Sequence, residues 1–173
     1  MAGERERERY DLVITLEDAQ TVKAAAMVGA DDAATVLPLF PKRLGPVLAP
    51  ALAASLALRH PADLADKPLL HTCGRLNAWQ MWSESLGCHP PVQEGPEFEH
   101  YYFTLEAAIA GLGISVAPWH LVVDDISAGR LLAPLGFHES GSWYVAKRRA
   151  QPNARLDRLC DWLHQQARKT PVP

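Results

Sequence analysis

The chain has 173 residues, 48% hydrophobic and 21% charged, a balance that sets aside disordered and collagen-like classes and suffices for one ordinary domain or two small lobes. Seventeen basic residues against twenty acidic ones leave a net charge of −3, so no global basic field exists to hold a polyanion. No apolar run approaches the roughly 18 residues of a membrane span or the roughly 7–15 of a signal-peptide core, which predicts a cytoplasmic protein without an export address.

The segment from Glu4 to Arg9 alternates in sign and reads as a solvated helix end or frayed start. Arg9-Tyr10-Asp11-Leu12-Val13-Ile14 then places a β-rich apolar run. Gln20 to Ala34, Ala-rich with Gly29, predicts a surface loop or a short helix. Val36 to Pro50 sets prolines among apolar residues, which suits an extended segment and excludes an interior helix. Ala51 to Leu58 predicts a short helix, Pro61-Ala62-Asp63-Leu64 the entry to another, and Leu69-Leu70-His71 a strand. Trp79 and Trp82, spaced i, i+3, can share one helical face and cover the edge of a core.

Phe98 to Phe103 is aromatic and β-prone. Leu105, Ala108, Ile109 and Leu112 recur at i, i+3, i+4 and i+7, the stripe of a helix that Thr104 can cap, with Glu106 in its positive first turn and Gly113 as its stop. Ile114 to Ala117, stopped by Pro118, predicts a strand buried on both faces. A helix from His120 to Ala128 follows, with Val122, Val123 and Ile126 inward, Asp124 and Asp125 outward, and Gly129 ending it; Leu131 to Pro134 opens the next strand. Ser140 to Ala146 predicts another strand, with the basic run Lys147-Arg148-Arg149 at its end. Pro152 opens a terminal helix with an apolar stripe of Leu156, Leu159, Cys160 and Leu163, while Arg158, Gln165 and Arg168 face water. Helix and strand alternating at this spacing predict a parallel or mixed α/β sheet.

Enzyme motifs are weak. Gly111-Leu112-Gly113 lacks the third glycine of a dinucleotide loop and follows a helix instead of preceding one. Ser115 and Ser142 lack the G-x-S-x-G frame of a hydrolase. His60, His71, Cys73, Cys88 and His89 match no common zinc spacing, and the three cysteines, without C-x-x-C, fit reduced thiols. Neither a cofactor nor a metal is expected.

The string from Glu106 to Pro134, EAAIAGLGISVAPWHLVVDDISAGRLLAP, resembles the signature of the effector-binding domain of LysR-type transcriptional regulators, in the branch of the glycine-cleavage and beta-lactamase activators. Other segments agree in order: Arg9 to Ile14 with R-[YF]-D-[LV]-x-I, Val36 to Pro50 with the crossover between lobes (Lys42 standing where an acid is common), Pro61 to Leu64 with P-x-D-L, Pro68 to His71 with P-L-[LI]-H, and Trp79 and Trp82 with W-x-x-W. Leu159-Cys160-Asp161-Trp162-Leu163 matches the closing helix with Leu for Phe, whereas Gln20 to Ala34 departs from the Gly/Pro-rich loop usual there.

The resemblance implies an α/β, periplasmic-binding-protein-like type 2 fold of two lobes, N-terminally truncated, with residues 9–45 and 143–173 forming an incomplete first lobe and 46–142 the second. Two strands, the helix between them, a linker helix and a winged helix-turn-helix ordinarily precede the matched part. The implied function is non-enzymatic: a small-molecule effector, an amino acid, a carboxylate or a peptide fragment, held between the lobes to control transcription. Carried over residue by residue, the resemblance nominates His71, Thr72, Phe103, Thr104, Pro118 and Trp119 as ligand-binding. No direct DNA binding and no membrane contact are expected of this chain, and a homo-oligomer is expected through a strand edge left without its neighbour. Two other classes stay open here: a stand-alone interaction protein that pairs with a full-length regulator, and a solute-binding protein, against which the missing export signal speaks.

Overall fold

The computed structural model describes residues 10–27, 34–75, 77–90, 94–149 and 153–173. The expectations for Glu4 to Arg9, Gly29 and Pro152 fall outside the described residues. The chain divides into two compact units: the described residues up to Lys42 together with Gly141–Val172, and Arg43–Ser140. Two long strands, β2 (Ala34–Val47) and β6 (His138–Arg149), carry the chain from one unit into the other.

In the first unit, β1 (Leu12–Asp18) pairs antiparallel with β6, from Leu12 opposite Arg148 to Asp18 opposite Ser142. Helix α1 (Ala19–Met27) follows without a loop, because the Asp18 carboxylate accepts the Thr21 N–H at 2.8 Å and so caps the first turn. Phe40 and Tyr144 pack with ring centroids 5.1 Å apart. Ion pairs join Lys147 to Glu17 across the ladder and Arg148 to Asp157 of the terminal helix α6 (Ala154–Lys169). Asn153 caps α6, accepting from Arg155 N–H at 3.0 Å and Leu156 N–H at 3.3 Å. Leu156 and Cys160 turn inward as their spacing predicts, but Leu159 is exposed. Positions 156 and 160 lie one turn apart on a single row, and 159 sits on its flank.

The second unit is a mixed sheet in the order β2-β5-β3-β4. Strand β5 (Ile114–Pro118) runs antiparallel to β2 and parallel to β3 (Leu69–Thr72), which runs parallel to the short β4 (Glu97–Phe98). All five residues of β5 are buried. Alternation explains why the run is continuously apolar: Ile114, Val116, Leu44 and Leu69 face a core closed by α2 (Pro50–Leu56) and α3 (Ala78–Ser85), whereas Ala117, Val47 and Leu70 face α4 (Tyr101–Ile109) and α5 (Trp119–Ser127). Trp79 and Trp82 meet edge to face, 6.0 Å apart at 87°, inside the first of these cores, and the Trp79 indole N–H donates to Leu70 O at 3.2 Å. Burying side chains of this size stabilises by about 1.5–3 kcal/mol each, which makes the pair a main anchor of α3.

Several local expectations are corrected. Helix α4 begins at Tyr101, so Thr104 lies within it and not at its cap, and the β-prone stretch Phe98 to Phe103 divides into the end of β4, a bend and a first helical turn. Packing of α4 on β3 overrides the β preference of Tyr101, Tyr102 and Phe103. The helix stops at Gly111, φ +79°, where Leu112 N–H bonds to Ala107 O and Gly111 N–H to Ala108 O, the paired bonds of a left-handed C-cap. Leu112 is thereby thrown outward and is 63% exposed. Gly113 serves another purpose: a Cβ there would stand 2.5 Å from Pro68 O, so glycine permits β5 to approach the start of β3. Pro61–Leu64 is an isolated 3-10 turn, not a helix entry, closed by Asp63 accepting from Arg59 and His60 N–H. Leu131 to Pro134 contributes a single bridge, Leu132 to Leu48, and Asp125 is drawn partly inward to pair with Arg130.

Candidate functional site

Because β4, β3 and β5 are parallel neighbours, their carboxyl ends emerge at one edge of the sheet. His71 and Thr72 end β3; Phe98 ends β4 and leads through Glu99 and His100 into α4; Pro118 ends β5 and is the N-cap residue of α5. In open α/β sheets such carboxyl ends are where ligands bind, since the strands deliver loops and helix N-termini there. All six residues nominated from the sequence belong to these three junctions.

A cavity of about 600 Å³ opens at two of the junctions, lined by Thr72, Cys73, Gly74 and Arg75 after β3 and by Glu99, His100 and Tyr101 before α4. The first wall is a tight turn in which Arg75 N–H donates to Thr72 O at 3.0 Å and Gly74 takes φ +69°, the third-position geometry that a type II turn requires. The second wall is a helix start. Among the described residues no side chain caps α4, and its first bonds run from Phe103 and Thr104 N–H to His100 O, which leaves the Tyr101 and Tyr102 N–H groups without an intrahelical acceptor. These amides and the helix dipole contribute positive potential to a wall that also carries the Glu99 carboxylate. Arg75 adds a guanidinium, which donates to Gly74 O at 2.8 Å.

Thr72 and Thr104 join the two walls. Both are buried, and their hydroxyl oxygens are 2.8 Å apart. Among the described residues the buried Tyr101 hydroxyl has no hydrogen-bond partner, and burial pushes its phenol pKa up, opposed by the nearby Arg75 charge. Desolvation, then the hydrogen bond to Glu97 at 3.7 Å, also pushes the Cys73 thiol up, away from the thiolate form. Among the described residues no group of three or more His, Cys, Asp and Glu side chains is placed to hold a metal ion.

The nominated residues divide as follows. Thr72 lines the cavity and Thr104 supports it from within α4. His71 is half-buried, its N–H bonded to Pro96 O at 2.9 Å. Phe103 is 49% exposed and stacks on His100 with centroids 6.4 Å apart. Pro118 and Trp119 belong to the third junction, where the Trp119 ring meets Phe137 at 5.0 Å. Arg75, His100 and Tyr101 escaped the sequence reading. The signal that could have found Arg75 is the turn sequence Cys73-Gly74-Arg75 directly after a strand, which presents a cation at a carboxyl end.

Comparison with known proteins agrees with this geometry. The LysR substrate binding domain profile matches residues 4–168. The HTH-type transcriptional regulator TrpI of Pseudomonas aeruginosa is 45% identical over 137 residues, 76% of this chain and 46% of its own length. The glycine cleavage system transcriptional activator of Escherichia coli is 40% identical over 98 residues, 56% of this chain and 32% of its own length. The chain thus spans less than half the length of either relative. The AmpR effector binding domain from Citrobacter freundii superposes with a TM-score of 0.69 at 24% identity, covering 95% of this chain and 78% of that one. The regulatory domain of CrgA from Neisseria meningitidis does so with 0.66 at 18% identity, covering 93% and 77%. The chain belongs to the LysR substrate-binding-domain family, the effector-binding domains of LysR-type transcriptional regulators, and has their periplasmic-binding-protein-like type 2 α/β fold.

Proposed function

We propose that this chain senses a small molecule bearing a carboxylate, an amino acid, a simple carboxylic acid or a peptide fragment, and that binding shifts the populations of the regulator of which it forms the effector part. One observation carries the reading: a cavity at the carboxyl ends of adjacent parallel strands, walled by an uncapped helix N-terminus and Arg75. That combination supplies donors and positive charge to an anionic group, and the Cys73 thiol on the lining is held toward its protonated, unreactive form. The reading is therefore of a binding domain and not an enzyme. It assigns residues 9–45 and 143–173 to the first lobe and 46–142 to the second, and gives ligand roles to Thr72 directly, with His71, Phe103, Thr104, Pro118 and Trp119 around it.

DNA contacts fall to other parts of the regulator, and the setting is the bacterial cytoplasm. No helix of the described residues is long and apolar enough to cross a membrane. The test is a thermal-shift screen of the purified chain against amino acids, small carboxylates and cell-wall peptides, because a ligand that binds the native state raises its melting temperature. A saturable shift that disappears when the carboxylate is replaced by its carboxamide is the expected result. No shift with any carboxylate, from a sample that melts cooperatively, would reject the reading.

A further inference from the structure

The cavity between the turn after β3 and the start of α4 holds charges of both signs. Arg75 stands on the turn and Glu99 on the bend before the helix, and both line the same space of about 600 Å³. Among the described residues they form no ion pair with each other: the Arg75 guanidinium donates to Gly74 O, and Glu99 has neither an ion pair nor a hydrogen bond. The other carboxylate of this region, Glu97, already accepts from the Cys73 thiol at 3.7 Å. The two unpaired charges act on different neighbours. Glu99 adds to the forces that keep the Cys73 thiol protonated, whereas the Arg75 charge is felt at the Tyr101 hydroxyl. The cavity thus has an acidic end and a basic one. The hydrogen-bonding groups divide in the same sense. At the helix start the Tyr101 and Tyr102 N–H groups can only donate. Thr72 is the opposite case: Thr104 gives its proton to His100 O, so Thr72 donates to Thr104 across 2.8 Å and keeps only lone pairs for the cavity.

We infer that the ligand of this cavity is a free α-amino acid, its carboxylate held by Arg75 and the amides of Tyr101 and Tyr102, its ammonium by Glu99 and the Thr72 hydroxyl oxygen. The inference rests on the carboxylate reading given above and narrows it to a zwitterion. Charge decides among the acids which that reading admits. A plain carboxylic acid brings a second anion beside Glu99, so part of what it gains from Arg75 is lost to repulsion. An amino acid meets the same Glu99 with its ammonium, and the repulsive element becomes an attractive one. Arg75 and Glu99 are both exposed, so any direct pairing between them is worth little and leaves each open to a ligand. An ammonium also suits Thr72, because it has three donors and no acceptor.

The test is calorimetric titration of the intact chain with each coded α-amino acid and with its desamino acid, which keeps the carboxylate and side chain and lacks the amine: alanine beside propionate, leucine beside isocaproate, phenylalanine beside hydrocinnamate, glutamate beside glutarate. The expected result is an amino acid bound at least tenfold more tightly than its desamino partner, a difference of about 1.4 kcal/mol. Glu99→Gln removes the charge at an exposed position, where the fold does not depend on it. In that variant the same amino acid should bind at least tenfold more weakly, and the desamino acid as tightly as before or more so. A desamino acid that binds the unaltered chain as well as its amino acid does would overturn the inference and leave the carboxylate reading standing. So would a Glu99→Gln chain that keeps the preference for the amine. Failure of every acid in both sets, from a sample that melts cooperatively, would overturn the inference and the carboxylate reading together.

Discussion

The hydroxyl oxygens of Thr72 and Thr104 are 2.8 Å apart in a buried setting, and Thr104 Oγ1 also lies 3.2 Å from His100 O. A carbonyl can only accept, so the Thr104 proton goes to His100 and Thr72 donates to Thr104. The order predicts an asymmetry. Thr104→Val strands the Thr72 donor and removes the bond to His100, costing about 1–3 kcal/mol, whereas Thr72→Val leaves Thr104 its own acceptor and costs roughly 1 kcal/mol or less. Urea denaturation of both single variants and the double variant checks this; the double variant should be little worse than Thr104→Val.

Arg75 is exposed at the cavity wall and its guanidinium donates to the neighbouring Gly74 carbonyl, so replacing the side chain should leave stability nearly unchanged. Arg75→Gln should weaken binding of a carboxylate ligand by about tenfold, the worth of one charge-assisted contact, and should flatten the dependence of affinity on salt. Calorimetric titration at two salt concentrations reads both effects.

Two glycines near the end of α4 should respond differently to the same change. Gly113→Ala places a methyl 2.5 Å from Pro68 O, a backbone atom that cannot yield, and is expected to cost about 1–3 kcal/mol. At Gly111 nothing lies within 4 Å of a built Cβ, and only the positive φ opposes alanine, at about 1 kcal/mol. Denaturation midpoints should therefore fall further for Gly113→Ala.

Acid should weaken the fold through two capping carboxylates. The backbone N–H groups of Arg59 and His60 hold Asp63 below its ordinary value of 3.8, and the Thr21 hydroxyl and N–H do the same for Asp18. A folded-state pKa below the unfolded one gives stability that is complete above pH 3.8 and is lost as pH falls from there through the depressed value. Between pH 7 and pH 3 the unaltered chain should lose more stability than Asp63→Asn, which starts lower and titrates less. Thermal melts at the two pH values compare them.

Much of the second unit is legible in its residues, and the reason is physical. A strand buried on both faces must read as Ile114-Ser115-Val116-Ala117, and two tryptophans at i, i+3 have few other places to go than Trp79 and Trp82 take. The start of α4 is not legible, because Tyr101, Tyr102 and Phe103 prefer strands locally and the packing of the helix on β3, Thr104 against Thr72 included, fixes them as helix. Leu112 fits the helical stripe in sequence but follows the glycine that ends the helix. The cavity was half visible. Thr72 stands at a recognisable strand end, whereas Arg75 and His100 come together only through the parallel pairing of β3 with β4, which no local pattern encodes.

The two passages of the chain between units have a consequence for how the molecule is made. Arg43–Ser140 is one unbroken stretch, so its sheet can close as it leaves the ribosome. The first unit is assembled from two stretches with that whole segment between them, and β1 cannot meet β6 until both ends of a loop of roughly a hundred residues are brought together, at about 4 kcal/mol of chain entropy. Folding of the contiguous unit shortens this loop beforehand. The order of events is then set by connectivity: the half that holds the cavity forms early, and β1 gains its β6 partner only when the last part of the chain arrives.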